Sequence, residues 1–151
     1  MAKGDALSYC LKLLGLRDYF KEELLFKATV KYGESEAIKA VKAIEGYGYL
    51  NDERAADNYI RSRLLSGYGP YYISGKLYEK GYGLSVEEII KRAEAHQIDI
   101  EEQIRKLAEK HSFKKSGNAY EDWAKCMRFF INRGYPRQLC DRILKKEDFE
   151  R

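Results

Sequence analysis

Two prolines, two histidines and one tryptophan in 151 residues exclude much before any motif is sought. With proline confined to Pro70 and Pro136, little interrupts helices. No stretch alternates apolar and polar residues long enough to argue for a sheet. His96 and His111 stand fifteen positions apart, without cysteine or carboxylate at ligand spacing, so no metal site is expected. The three cysteines, Cys10, Cys126 and Cys140, are odd in number and form no C-x-x-C pair. They read as buried thiols of a reducing compartment. No segment reaches the ~18 apolar residues of a membrane span. Lys3 and Asp5 precede only a short apolar run, which is no signal peptide. A cytoplasmic protein is therefore expected. No glycine-rich phosphate loop follows a strand, and no serine or cysteine is paired with a base. Neither catalysis nor a cofactor is expected.

What is present is charge and helix-forming sequence. The chain is 44% apolar and 34% charged, a balance that makes it globular rather than disordered. The net charge of +4 suggests an acidic partner. The charge is uneven: +1 over residues 1–50, zero over 51–96 and +3 over 97–151. No Lys/Arg block resembles a nucleic-acid-binding tail, so any basic surface must be assembled by folding.

Apolar spacing predicts an all-α chain. A first helix is expected from Asp5 to Leu14, with Leu7, Cys10, Leu11 and Leu14 on one face and Gly15 as its stop. A second runs from Phe20 to Lys31 on Phe20, Leu24 and Ala28. A third runs from Ser35 to Glu45 on Ile38, Val41 and Ile44, and closes at Gly46-Tyr47-Gly48. The fourth runs from Asn51 or Asp52 to Leu65 and breaks at Gly67-Tyr68-Gly69. Pro70 opens a fifth, and the sixth carries Val86, Ile89, Ile90 and Ala93. Further helices are expected near 99–112, 119–132 and 136–146.

The breaks before each third helix match: Lys31-Tyr32-Gly33, Lys80-Gly81-Tyr82 and Arg133-Gly134-Tyr135. The glycines lie 48 and 53 residues apart, a degenerate repeat of three short helices. Three units follow, 5–50, 51–96 and 97–146, with an acidic tail at 147–151. A bundle of that size is marginal alone, so neighbours are expected to stack. Glycine at the breaks allows positive φ at a helix end.

At 100° per residue, Ala56, Tyr59, Ile60 and Arg63 share the inward side of the fourth helix. Arg54, Asn58, Arg61 and Leu65 share the outward side. Arg63 lies at the core seam, in the direction of Asp52, and is expected to bond an acid or a carbonyl. On the fifth helix Ile73 and Leu77 face inward, while Tyr71, Ser74 and Tyr78 face outward. Arginine beside tyrosine is a composition typical of binding surfaces.

Gly48-Tyr49-Leu50-Asn51-Asp52-Glu53-Arg54, Arg61-Ser62-Arg63-Leu64, Gly67-Tyr68-Gly69-Pro70, Ile73, Leu77 and Lys80-Gly81 together resemble the signature of the RecX family. Ala6-Leu7, Leu11, Leu14, Arg17-Asp18, Glu23-Leu24 and Gly33 agree with it in the first repeat. The resemblance covers residues 5–146 and is densest in the first two repeats. It implies three tandem three-helix repeats, helix-turn-helix-like and wingless, in an elongated and curved body. It also implies a regulator of the RecA recombinase that binds the RecA–single-stranded-DNA filament and inhibits its growth, ATP hydrolysis, strand exchange and coprotease activity. A monomer, weak DNA contact and no membrane are expected.

The partner-binding residues expected on this basis are Arg17, Lys21, Arg54, Arg61, Tyr71, Tyr78, Lys125, Arg128 and Arg133. Structural roles are expected for Arg63, Asp52, Gly69, Pro70 and Gly81. The chain departs from the family pattern at Tyr71-Tyr72, where basic residues are usual. It departs again at Phe20, where a Ser or Thr often begins the helix and Asp18 is expected to cap instead. The turn Gly81-Tyr82-Gly83-Leu84 is about two residues longer than the family's. The competing readings are a sequence-nonspecific DNA-binding module and a helical adaptor for another partner.

Overall fold

Asp5, Asn51, Ser85, Asp99 and Asn118 each accept a hydrogen bond from a backbone N–H two or three residues on. A helix starts behind each, because the side chain satisfies an amide that the first turn cannot. In the computed structural model, which describes residues 5–111 and 116–150, these starts divide an all-helical chain. The helices are α1 Ala6–Leu16, α2 Lys21–Tyr32, α3 Glu34–Gly46, α4 Asp52–Leu65, α5 Pro70–Glu79, α6 Val86–Ala95, α7 Ile100–Lys110, α8 Ala119–Asn132 and α9 Arg137–Ile143. A 3₁₀ turn, Lys146–Phe149, follows, and no strand occurs among the described residues.

The chain forms two compact units, 5–59 with 77–83, and 60–76 with 84–150. In the first, α1, α2 and α3 pack mutually around Cys10, Leu24, Ala28, Ala37, Ala40, Val41 and Ile44. Ile38, expected inside, is 46% exposed, and Ala37 and Ala40 take the inward positions. Small residues there let the helices approach closely. Gly15 is not a stop: it lies inside α1, which runs on to Leu16.

Asp18 does not cap α2. The Glu23 carboxylate accepts the Phe20 N–H at 3.1 Å, and Asp52 accepts the Lys21 N–H at 2.9 Å. The two amides at that helix start are thus satisfied from elsewhere, and Asp18 is left for Asn58 and Arg54.

The second unit buries Ile60, Leu64, Ile73, Ile89, Ala93, Ile104, Cys126, Met127, Phe130 and Cys140. Gly134, at φ +91°, ends α8, and Gly69 stands just before α5. A Cβ on Gly69 would lie 2.5 Å from the Gly134 carbonyl carbon and the Tyr135 nitrogen. The approach is locked by Gly69 N–H donating to Arg133 O at 2.7 Å and Tyr71 N–H to Gly134 O at 2.8 Å. No side chain fits there.

Pro136 precedes α9 as its N-cap, and α9 ends at Ile143. The helix is shorter than expected because the Trp123 indole N–H takes the Leu144 carbonyl at 2.6 Å. The acidic end forms a 3₁₀ turn packed on α8. Residue 112, the expected end of the seventh helix, and Arg151 lie outside the described residues.

Candidate interaction surfaces

In the first unit Arg17, Lys80 and Arg54 are organised by two acids. The Arg17 guanidinium lies 3.7 Å over the Tyr19 ring, reaches Glu23 at 3.1 Å and donates to Asp18 O at 2.8 Å. Glu23 also takes Lys80 at 3.0 Å. Burial alone would raise the Glu23 carboxyl, but Arg17, Lys80 and the Phe20 N–H outweigh it and hold it below its ordinary value. Asp18 bonds the Asn58 amide at 2.9 Å and Arg54 at 3.5 Å. Arg17 and Arg54 therefore meet at Asp18, each about half exposed. Lys21 pairs with Glu45 at 3.2 Å.

The turn at 77–83 is brought in by Tyr82, whose ring meets Phe20 at 5.3 Å and whose hydroxyl donates to Glu53 at 2.7 Å. Gly81, at φ +83°, sits where a Cβ would come 2.5 Å from that of Glu22.

Tyr78 is 78% exposed, as expected. It lines a groove with Glu22, Phe26, Lys27 and Gly81. Phe26 and Val30, which sequence reasoning passed over, are 69% and 73% exposed on α2. The signal was available: they repeat at i and i+4, opposite the Leu24 and Ala28 stripe.

In the second unit Tyr71 is 58% exposed, and Arg61, Lys125 and Arg128 are exposed. Ser74 corrects the outward set. It is half-buried and donates its hydroxyl to Leu84 O at 2.7 Å. Arg133 is corrected too. It is half-buried, donates to Gly67 O at 3.4 Å, and lies over the rings of Phe129 at 4.8 Å and Tyr68 at 5.2 Å. Arg63 is half-buried at the core seam, as expected, reaching the Ser62 hydroxyl at 3.5 Å and the face of Tyr68 at 5.9 Å. Pro70, buried, is the first residue of α5.

All three cysteines are buried. Burial pushes Cys126 up to about 12, with Cys140 adding to it, and Cys140 to about 11. Such thiols hold no reactive thiolate at neutral pH. Among the described residues no His, Cys and carboxylate group is placed to hold a metal ion, and no helix is long and apolar enough to cross a membrane.

Charge separates the units. Counted over the sequence, residues 1–59 with 77–83 hold 10 Lys and Arg against 11 Asp and Glu, a net −1; residues 60–76 with 84–151 hold 18 against 13, a net +5. Most cations described in the first unit already face an acid.

Comparison with known proteins identifies relatives of the chain. A family model described as RecX, third three-helix domain, matches residues 99–144. The regulatory protein RecX of Thermus thermophilus is 31% identical over 134 residues, covering 88% of this chain and 85% of its own length. That of Legionella pneumophila is 29% identical over 143 residues, covering 93% of each. The crystal structure of RecX from Lactobacillus salivarius has the same fold, with a TM-score of 0.74 at 22% identity, over 95% of this chain and 94% of that one.

Proposed function

The chain belongs to the RecX family, and we propose that it regulates the RecA recombinase by binding the RecA–single-stranded-DNA filament. Its direction is inhibitory. Growth of the filament slows, and ATP hydrolysis, strand exchange and coprotease activity fall with it. The observation that carries this reading is relatedness along nearly the whole length of a named regulator, rather than at one motif. No catalytic step is assigned to the chain, which acts in the cytoplasm as a monomer without a cofactor.

The three repeats divide at 50/51 and 96/97. Each offers contacts that are weak singly and add through multivalency. The first contributes Arg17 and Lys21. The second contributes Arg54, Arg61, Tyr71 and Tyr78, and the third Lys125 and Arg128. Arg17, Lys21 and Arg54 contact the partner only by loosening pairs with Glu23, Glu45 and Asp18. The Lys21–Glu45 and Arg54–Asp18 pairs are exposed and weak, about 0–1 kcal/mol each, whereas the Glu23 side chain is only 15% exposed.

The test is RecA-catalysed, DNA-dependent ATP hydrolysis, titrated with this protein at substoichiometric ratios and at salt high enough to prevent binding to free DNA. A fall in rate at one regulator per many RecA subunits supports filament control. An unchanged rate refutes it. Replacing Arg54 and Arg61 together by Ala is expected to weaken inhibition and leave the melting temperature nearly unchanged. A double variant that inhibits like the parent removes those two residues from the surface.

A further inference from the structure

Two surfaces remain without an assigned partner, and each supplies what the other lacks. On α1, Ser8, Leu11, Lys12, Gly15 and Leu16 recur at helical spacing, and all are exposed. Leu11, expected on the inward face, is 37% exposed, and Leu16 is 75% exposed. A Cβ on Gly15 would meet nothing within 4 Å, so the stripe is open at its middle. α1 carries Lys12 and no acid. This stripe is apolar and cationic.

The second surface lies in the other unit, and it is apolar and acidic. Ile90, Ile98, Ile100 and Leu139 line a cleft of about 640 Å³. Around them stand Glu94, Asp99 and Glu101 against Arg142, three carboxylates to one guanidinium. Glu101 is already taken by Arg142 at 2.7 Å, whereas Glu94 and Asp99 are exposed. Gln97, at φ +61°, is the one described residue other than glycine with positive φ, and it too lines the cleft. Glycine takes that conformation behind α3, α4, α5 and α8. Behind α6 a side chain is kept against that preference, and its amide offers a donor at the cleft.

We infer that the α1 stripe of a second copy docks in this cleft, joining copies that sit beside one another on one filament. Leu11 and Leu16 cover the isoleucines, as a helix laid in a groove does. Lys12 faces Glu94 and Asp99, and the Gln97 amide meets the open carbonyls of the last turn of α1. A polyanion would instead meet carboxylates. Stripe and cleft are different patches, so the contact is heterologous and each copy offers both halves of it. One helix face covers less than the ~1,200 Å² of a stable interface, so free copies stay monomeric. A filament that holds two copies at high effective concentration makes the weak contact count. That setting rests on the proposed regulation, whereas the match of the two surfaces does not.

The experiment is NMR on two versions of the full chain, without RecA. An isotope-labelled Leu16→Glu chain, its own stripe disabled, is titrated with unlabelled parent to millimolar concentration. Backbone amide signals of Ile90, Glu94, Gln97–Glu101 and Leu139–Arg142 are expected to shift progressively. Unlabelled Leu16→Glu should bind about 10-fold more weakly or worse, since it forfeits a buried leucine. Unlabelled Lys12→Glu should bind about 2–5-fold more weakly and recover when the labelled chain also carries Glu94→Lys. Leu16, Lys12 and Glu94 are exposed, so folding is not at stake. No shift, shifts outside the cleft, Leu16→Glu binding like the parent, or no recovery with Glu94→Lys would each overturn the inference. On the filament, inhibition by the parent should rise more steeply with concentration than inhibition by Leu16→Glu, and equal steepness would overturn the contact's place there. Shifts at the cleft from a parent that leaves RecA uninhibited would support the contact and refute the regulation.

Discussion

Replacing Gly69 by alanine should cost much of the stability of the second unit, although it adds a single methyl group. The added carbon would stand 2.5 Å from the Gly134 carbonyl carbon and the Tyr135 nitrogen and 2.6 Å from the Gly134 oxygen. All three are backbone atoms, so no side chain can swing aside. Ordinary contact begins near 3.4 Å, and the two segments must therefore part by about 0.9 Å. The hydrogen bonds of 2.7 and 2.8 Å on either side of the contact cannot survive that movement.

Each lost bond removes about 0.5–1.5 kcal/mol, and a buried group left without a partner costs about 1–3 kcal/mol. The sum is roughly 2–5 kcal/mol, against about 5–15 kcal/mol for a whole domain. In urea unfolding the midpoint should fall by about 1–2 M. Gly75→Ala supplies the control. Gly75 is exposed inside α5, and a Cβ there meets nothing within 4 Å. That variant should gain about 0.5–1 kcal/mol from helix propensity. If Gly69→Ala unfolds at the parent's midpoint, the close approach of the two segments is wrong.

Glu23→Gln removes the charge that Arg17 and Lys80 share and should cost about 1–3 kcal/mol at neutral pH. Because the folded carboxyl lies below its ordinary value, its contribution is complete above the unfolded pKa of about 4.3 and is lost as pH falls through the folded value. Chemical denaturation at pH 7 and pH 3 should thus show a smaller loss on acidification in the variant than in the parent, and equal losses would contradict the pairing. The Tyr135 hydroxyl is buried with no hydrogen-bond partner among the described residues. Tyr135→Phe should consequently match or exceed the parent by up to about 1–2 kcal/mol, and a loss above about 1 kcal/mol would mean the hydroxyl is satisfied in solution.

What the sequence revealed was local. A cap at Asn51, breaks at Gly67 and Gly134, and the inward sides of α4 and α5 depend on residues within one turn of each other. Helix geometry alone places them. Ile38 was misplaced because hydrophobicity was read without volume, and the interior of α1–α3 admits Ala37 and Ala40 instead. Glu23 could be seen as an acid near a helix start, but not as the partner of Lys80, 57 residues away. Arg133 was expected among the partner-binding residues on the basis of its charge. The rings that hold it inward come from Phe129 on its own helix and Tyr68 far along the chain.

The pairing of charge in the first unit sets the salt dependence expected of the proposed regulation. In the first unit, Arg17, Lys21, Arg54 and Lys80 each face a carboxylate at 3.0–3.5 Å. A partner there exchanges one ion pair for another, and salt screens both sides of the exchange. Apolar contact through Phe26, Val30 and Tyr78 then supplies net affinity that salt does not weaken. Raising salt should therefore leave filament inhibition largely intact. Substitution of Phe26 by Ser should reduce inhibition at every salt concentration, and inhibition that collapses as salt rises would contradict the exchange of one ion pair for another.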